Sequence, residues 1–248
     1  ECRRQELDEA IAIRDLKRFA ADHANLKALE PLKIEERTEK VAVIGSGPSG
    51  LTVAYYLRLK GYQVTIFEAL EVLGGMLRVG IPDYRLPPEV LDQEIDHILR
   101  QGVKTRTGVR FGTDLTFEDL KEEGFAAVFL GIGAHNSLDM QIPGEKDTQG
   151  VIDAIRFLRE VNLGNKTFPG SRVVVIGGGN VAIDAARVVK RLGSQEVTVV
   201  YRRSEQEMPA YTEEIEGAKK EEIRFSFLTA PVGILAKEGK VDGFECIR

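Results

Sequence analysis

Two strand-like stretches of this chain are nearly the same until they end in opposite charge. "QVTIFE", residues 63–68, closes on Glu68, whereas "EVTVVYRR", residues 196–203, closes on Tyr201, Arg202 and Arg203. Upstream of each lies a glycine cluster. The first, Gly45-Ser46-Gly47-Pro48-Ser49-Gly50, fits G-x-G-x-x-G and has its acid twenty-three residues after the first glycine. The second, Gly177-Gly178-Gly179-Asn180-Val181-Ala182, is the G-x-G-x-x-A variant. A glycine-rich turn alone is weak evidence. Placed after an apolar strand, before a helix and at that distance from an acid, it has the context of a dinucleotide site. Gly45 permits the tight turn, Gly47 admits a pyrophosphate close to the backbone, and Gly50 lets helix and strand approach. The free N–H groups and positive end of the helix then face the phosphates.

The strand ends carry the specificity. Glu68 can accept hydrogen bonds from ribose hydroxyls, which suits FAD or NAD. A carboxylate there would repel a phosphate on the 2′-oxygen. In the second copy Tyr201 takes the acid's place and Arg202 and Arg203 follow, so the preference inverts toward NADP(H). The planar guanidinium fork suits phosphate oxygens, and Tyr201 or an arginine can face the adenine. Two nucleotide sites in one chain imply hydride transfer between a nicotinamide and a flavin.

The elements that position these residues repeat as well. Sixteen residues separate Gly45 from Gly61, and sixteen separate Gly177 from Gly193. "KVAVIG", the first loop, "LTVAYYLRLK" and "QVTIFE" therefore match "RVVVIG", the second loop, "IDAARVVKRL" and "EVTVVY", with one residue inserted after Gly193. Such β-crossover-β units predict parallel strands with right-handed connections. The fold expected is α/β, with two Rossmann-like units and a helical N-terminal segment. One helix is predicted over residues 4–22, from Leu7, Ile11, Leu16 and Phe19. Pro31 and a run of charges mark a linker. Residues 88–101 read as a helix and "AAVFLGIGA" as a buried-type strand, while "GGMLRVGIPDYRLPP" is too irregular for either period. A helix and short strands follow "EEIEGAKKEE". The expected segments are 1–38, a helical remnant and linker; 39–149, the first nucleotide domain; and 150–248, the second.

Bulk properties narrow the class. The 248 residues are 43% hydrophobic and 29% charged, with a net charge of −5, which argues against a nucleic-acid partner. No apolar run is long enough for a membrane span. The charged start has no signal-peptide core, and the two cysteines make no disulfide framework, so a cytoplasmic location is expected. The chain begins without Met and reads as a fragment.

With these motifs in place, "VAVIGSGPSGLTVAYYLRLKGYQVTIFEALEVLGGMLRVGIPDYRLP" resembles the FAD half of the glutamate synthase small-subunit family. "VVVIGGGNVAIDAARVVKRLGSQEVTVVYRRSEQEMPA" resembles its NADPH half. The flavin–nicotinamide part of dihydropyrimidine dehydrogenase and ferredoxin-linked transhydrogenase subunits share the pattern. The resemblance implies that Gly74, Gly75, Met76, Leu77 and Arg78 lie along the flavin. It implies that "GIGA", with Gly133, passes near it, and that Met208-Pro209 lies near the nicotinamide. "ECRRQELDEAIAIRDLKRF" resembles the end of an iron–sulfur region, which would make Cys2 a cluster ligand whose partners lie upstream. In that family the nicotinamide domain is inserted into the FAD domain, and this sequence ends before the return, so weak FAD binding by the isolated chain is expected.

The resulting expectation is an electron-input module that takes hydride from NADPH to FAD. Electrons would then pass to iron–sulfur centres in a fused domain, a partner subunit or ferredoxin. Hydride transfer needs positioning more than acid–base groups, and no catalytic side chain is assigned. His23, His97 and His135 have no metal spacing, and no Cys-x-x-Cys is present. The alternative class is a nucleotide-binding module that holds or regulates a larger complex. A flavin monooxygenase fits the 74–87 loop and the Cys2 region badly.

Overall fold

A computed structural model describes residues 3–248, apart from the side chain of Lys27. Cys2 lies outside the described residues. The helix predicted over 4–22 is broken into a 3-10 turn at Arg4–Glu6 and α1 (Ile13–Asp22). Leu7, Ile11, Leu16 and Phe19 are exposed. A helix whose apolar stripe packs on nothing draws no tertiary support, and short unsupported helices are marginal.

The first sheet has the order β3-β2-β1-β4, all parallel, from β1 (Lys40–Ile44), β2 (Gln63–Phe67), β3 (Lys104–Arg106) and β4 (Phe125–Leu130). Side chains alternate across it, as the period of a strand requires. Val43, Val64 and Ile66 pack on α2 (Pro48–Leu59) and α4 (Pro88–Leu99), while Ala42, Ile44 and Phe67 pack with Leu115 and with Leu120 of α5 (Phe117–Glu122). Opposite faces thus bury Ala42 and Val43 completely, and β1 is buried from Val41 onward. The buried strand expected at "AAVFLGIGA" is corrected. β4 is an edge strand paired only with β1, and Ala126, Ala127 and Leu130 are exposed.

The second unit repeats the plan with α6 (Ala154–Asn162), β5 (Arg172–Ile176), α7 (Asn180–Arg191), β6 (Glu196–Val200), α8 (Thr212–Lys220) and β7 (Arg224–Ser226). Its sheet order is β5-β6-β7, again parallel. Val175, Val197 and Val199 pack on Ile183 and Ala186 of α7. The opposite face of β5 is open, with Val174 and Ile176 exposed.

Short strands were expected after α8. Of the three strands that follow, β7 is short, whereas β8 (Ala230–Lys237) and β9 (Lys240–Ile247) have eight residues each and form an antiparallel hairpin. Residues 143–149 lie against it, through Ile234 N–H to the Pro143 carbonyl at 2.9 Å and Val241 N–H to the Gln149 carbonyl at 2.9 Å. The irregular stretch after β2 contains one turn of helix, α3 (Met76–Val79). No helix among the described residues is long and apolar enough to cross a membrane.

Candidate functional site

Both glycine loops sit at the C-terminal ends of parallel strands, where open α/β sheets bind their ligands. Gly50 has the packing role expected of it. A Cβ there would run into the Gly45 carbonyl oxygen and lie 3.3 Å from Val43. Gly45 is confined from the other side by the backbone of Gly131, whose N–H donates to the Ile44 carbonyl at 2.7 Å. Gly47 is different. Its φ of −69° suits any residue, and a Cβ on it would meet nothing within 4 Å. It is the N-cap of α2, with no side chain to cap the helix, and Pro48 stands at the first helical position. α5 and α6, by contrast, are capped by Thr116 and Asp153. The first turn of α2 thus leaves backbone donors for an anion approaching over Gly47. Ser49 is exposed beside it.

Glu68 is wired into this loop. One carboxylate oxygen accepts from the Ser46 N–H at 2.9 Å and the Ser46 Oγ–H at 2.6 Å, and the other accepts from the Leu70 N–H at 2.9 Å. Glu68 is buried, and Ser46 completely so. A carboxylate offers about four acceptor positions, so these three bonds leave one for a hydroxyl. The Gly74 N–H donates to Ser46 Oγ at 3.1 Å, and a Cβ on Gly75 would come within 2.7 Å of Gly47 Cα. Gly75, at φ 54° and ψ −135°, has a backbone conformation that L side chains rarely adopt. The structure therefore brings Gly45–Gly50, Glu68 and Gly74–Gly75 into one cluster. Met76 and Leu77 open α3 beside it. The Arg78 guanidinium turns away, pairing with Asp92 of α4 and donating to the Leu73 carbonyl. Gly133 is exposed outside this cluster; Gly131, two residues earlier, is the glycine against the loop.

The second loop has the same anatomy. Gly179 is the N-cap of α7 at φ −91° and ψ 172°, again with nothing within 4 Å of a Cβ. Ala182 packs under Gly177, where a Cβ would stand 3.2 Å from its methyl. Asn180 Oδ1 accepts from the Tyr211 N–H at 3.0 Å, and the Ala210 N–H donates to the Gly178 carbonyl at 3.2 Å, so the Met208-Pro209 segment folds over the loop. Val181 is exposed on α7. A cavity of about 310 Å³ opens beside Gly177, between Val200, Tyr201 and Arg202 on one side and Met140 and Pro231 on the other. A larger one, about 400 Å³, lies beside Lys40 and Gln63 at the N-terminal ends of the first sheet's strands, away from both loops.

Register makes the strand ends equivalent. Gly45 N–H donates to the Phe67 carbonyl at 2.7 Å, and Gly177 N–H to the Val200 carbonyl at 3.0 Å. The next residues, Glu68 and Tyr201, each donate at 2.9 Å to the neighbouring third strand, at Arg106 and Ser226. Glu68 and Tyr201 are therefore structural counterparts, and Arg202 and Arg203 extend beyond them. Both arginines are exposed, and neither guanidinium has a hydrogen bond or ion pair among the described residues. The Tyr201 ring lies over Gly178, within 2.5–2.8 Å of where a Cβ would be, and its hydroxyl donates to the Glu207 carbonyl at 3.0 Å.

Residues 39–242 match the pyridine nucleotide-disulphide oxidoreductase family. The chain belongs to that family. Membership carries with it the oxidoreductase class and the pair of cofactors, FAD and NADPH, that the motifs predict. Relatives within the family include the beta subunit of NADPH-Fe(3+) oxidoreductase from Geobacter sulfurreducens, 45% identical over all of this chain and 38% of the relative. The small chain of glutamate synthase [NADPH] from Halomonas elongata is 36% identical over 96% of this chain and 52% of its own. The similarity to the glutamate synthase small subunit read from the motifs is thus present along nearly the whole sequence. This chain spans between about two fifths and one half of the length of these relatives. Among solved structures, Mycobacterium tuberculosis FprA in complex with NADPH superposes with a TM-score of 0.69 at 23% identity, covering 83% of this chain and 62% of that one, a likeness of fold.

The motifs contain Gly131, Gly178, Tyr84 and Arg85 but give them no individual role, and they leave Asp184 without one. The last could have been noticed as a lone acid in "VAIDAARVV", a helix otherwise small and apolar at that point.

Proposed function

We propose that this chain is the nucleotide-binding core of an electron-input module, with FAD at the first loop and NADPH at the second. The observation that carries the assignment is the equivalence of Glu68 with Tyr201 and the pair Arg202–Arg203 beyond it. In this reading Gly45–Gly50 and the first turn of α2 hold the FAD pyrophosphate, and Glu68 takes a ribose hydroxyl. Gly74 to Arg78 line the flavin side, with Gly133 further along the crossover. Gly177, Gly179, Asn180, Val181 and Ala182 hold the NADPH pyrophosphate, and Arg202 and Arg203 hold the 2′-phosphate. When both are bound, NADPH supplies a hydride, becoming NADP⁺, and FAD accepts it and can release the two electrons singly.

Onward transfer to iron–sulfur centres, with Cys2 as one ligand, and a partner subunit or fused redox domain belong to the same proposal. They are supported by similarity to an NADPH-Fe(3+) oxidoreductase subunit and a glutamate synthase small chain.

The test is Arg202→Ala with Arg203→Ala, measuring NADPH and NADH binding. Charge-assisted hydrogen bonds contribute roughly 1.5–3 kcal/mol each. Losing one to two of them predicts an NADPH Kd raised by about ten- to ten-thousandfold at ~1.4 kcal/mol per decade, with NADH nearly unaffected. Equal loss for both nucleotides, or no loss for NADPH, would sink the 2′-phosphate role.

A further inference from the structure

Asp184, Arg187 and Arg191 stand at i, i+3 and i+7 on α7, a spacing that puts them on one helical face. That face meets residues 81–86, the far end of the loop that begins at Gly74. Arg85 pairs with Asp184 at 2.6 Å and with Glu214 of α8 at 3.1 Å. Arg187 pairs with Glu214 and, at 2.8 Å, with Glu221; Arg191 pairs with Glu221 at 2.8 Å. Both α7 guanidiniums lie over the Tyr84 ring, 4.6 and 3.8 Å from its centroid. Asn162 of α6 adds a hydrogen bond from Nδ2 to the Ile81 carbonyl at 2.9 Å. The Asp184 side chain is only 5% exposed and that of Arg85 19%.

Burying this much charge is a poor route to stability, because desolvation cancels most of the attraction and apolar side chains would hold the seam as well. Ion pairs of fixed geometry instead set the register of the two surfaces. The seam connects the two loops through short, stiff paths. Asp184 is one turn into the helix that opens at Asn180 directly after Gly179. Arg85 and Tyr84 belong to the segment whose other end, Gly74, is bonded to Ser46 of the first loop. The seam also has unused bonding capacity, since the Tyr84 hydroxyl, Asp184 Oδ1 and Glu221 Oε2 are buried with no hydrogen-bond partner among the described residues. Burial and the neighbouring Asp184 charge suppress ionisation of Tyr84, so its hydroxyl stays a donor.

We propose that Tyr84, Arg85 and Asp184 are positioning residues that hold the nucleotide at the second loop in register with the flavin at the first. The inference rests on the proposed function. In this role they act through other residues, by aiming the Gly74–Arg78 loop and α7 at each other.

The test is anaerobic stopped-flow reduction of the flavin by NADPH in the flavin-loaded protein, with its native flanking sequence. Arg85→Ala should slow reduction at saturating NADPH by about ten- to a hundredfold, the order of loss expected from a displacement near 1 Å. NADPH Kd and FAD content should stay within about twofold of the parent, because the loops themselves are untouched. Arg85→Lys should recover part of the rate. Arg85→Ala combined with Asp184→Asn should be no slower than the slower single variant, since the Arg85–Asp184 contact that Asp184→Asn weakens is already lost in Arg85→Ala. Asp184→Asn alone and Tyr84→Phe repeat the measurement if Arg85→Ala does not fold. Parental rates in the folded variants, or a rate loss accounted for by NADPH Kd alone, would overturn the positioning role. Failure of NADPH to reduce the flavin in the parent protein would instead overturn the proposed function.

Discussion

Gly179→Ala separates a glycine kept for a ligand from one kept for the fold. The backbone at Gly179 is extended, at φ −91° and ψ 172°, and a Cβ would meet nothing within 4 Å. The chain itself therefore has no need of glycine there. Two small effects on folding oppose each other. Alanine is a poorer N-cap than glycine by about 0.5–1 kcal/mol, while the stiffer unfolded chain returns about 0.4–1 kcal/mol. Stability should stay within about 1 kcal/mol of the parent. The new methyl, however, projects over the loop where a pyrophosphate must approach backbone N–H groups. Displacing it would forfeit one or two charge-assisted hydrogen bonds of roughly 1.5–3 kcal/mol each. The expected result is an NADPH Kd raised by about ten- to ten-thousandfold at ~1.4 kcal/mol per decade. Calorimetric titration and urea unfolding on the same sample measure both halves. Gly50→Ala is the contrast, because its Cβ would strike the Gly45 carbonyl, and it should cost folding outright. Unchanged NADPH affinity in folded Gly179→Ala would refute phosphate contact at this loop. A large loss of stability would show that this glycine is structural after all.

Glu68→Ala removes the acceptor of three hydrogen bonds and leaves the buried Ser46 donors unpaired. At about 1–3 kcal/mol per unsatisfied buried group, urea unfolding should show a loss of roughly 2 kcal/mol or more, and an unchanged midpoint would contradict the wiring described. Ionic strength should also separate the two sites. Arg202 and Arg203 are exposed, and charges at a surface are screened over about 8 Å at 0.15 M salt. NADPH affinity should fall steadily between low salt and about 0.3 M while NADH affinity changes less, and parallel salt dependence for both would argue against a 2′-phosphate on these arginines.

The parts of the site that were legible in the sequence are those fixed by local geometry. A strand, a turn and a helix within about twenty residues leave little freedom, so the loops and the Glu68–Tyr201 equivalence could be counted from spacing. The residues missed depend on contacts between distant segments. Arg85 and Asp184 are ninety-nine residues apart and meet only because α7 packs on the end of an irregular loop. Gly131 confines Gly45 because its backbone faces that residue across a β1–β4 pairing that no local pattern reveals. The helix predicted over 4–22 holds over Ile13–Asp22 and is interrupted before it. Its periodicity describes an apolar stripe, but the stripe stabilises a helix only where something covers it.

The opposite charges at the two strand ends differ also in where they are kept. Glu68 is buried, with three acceptor positions committed to the loop that it serves. A ribose hydroxyl taking its remaining acceptor position would bond to a carboxylate held out of water, where a hydrogen bond is strong. That suits a cofactor that stays. Arg202 and Arg203 are exposed and uncommitted. Losing their ligand costs the fold little, because water solvates them again. That suits a nucleotide that binds, reacts and leaves. In the proposed reading the same strand end would serve a resident group in one copy and an exchanging one in the other, and the two ends differ in burial as much as in sign.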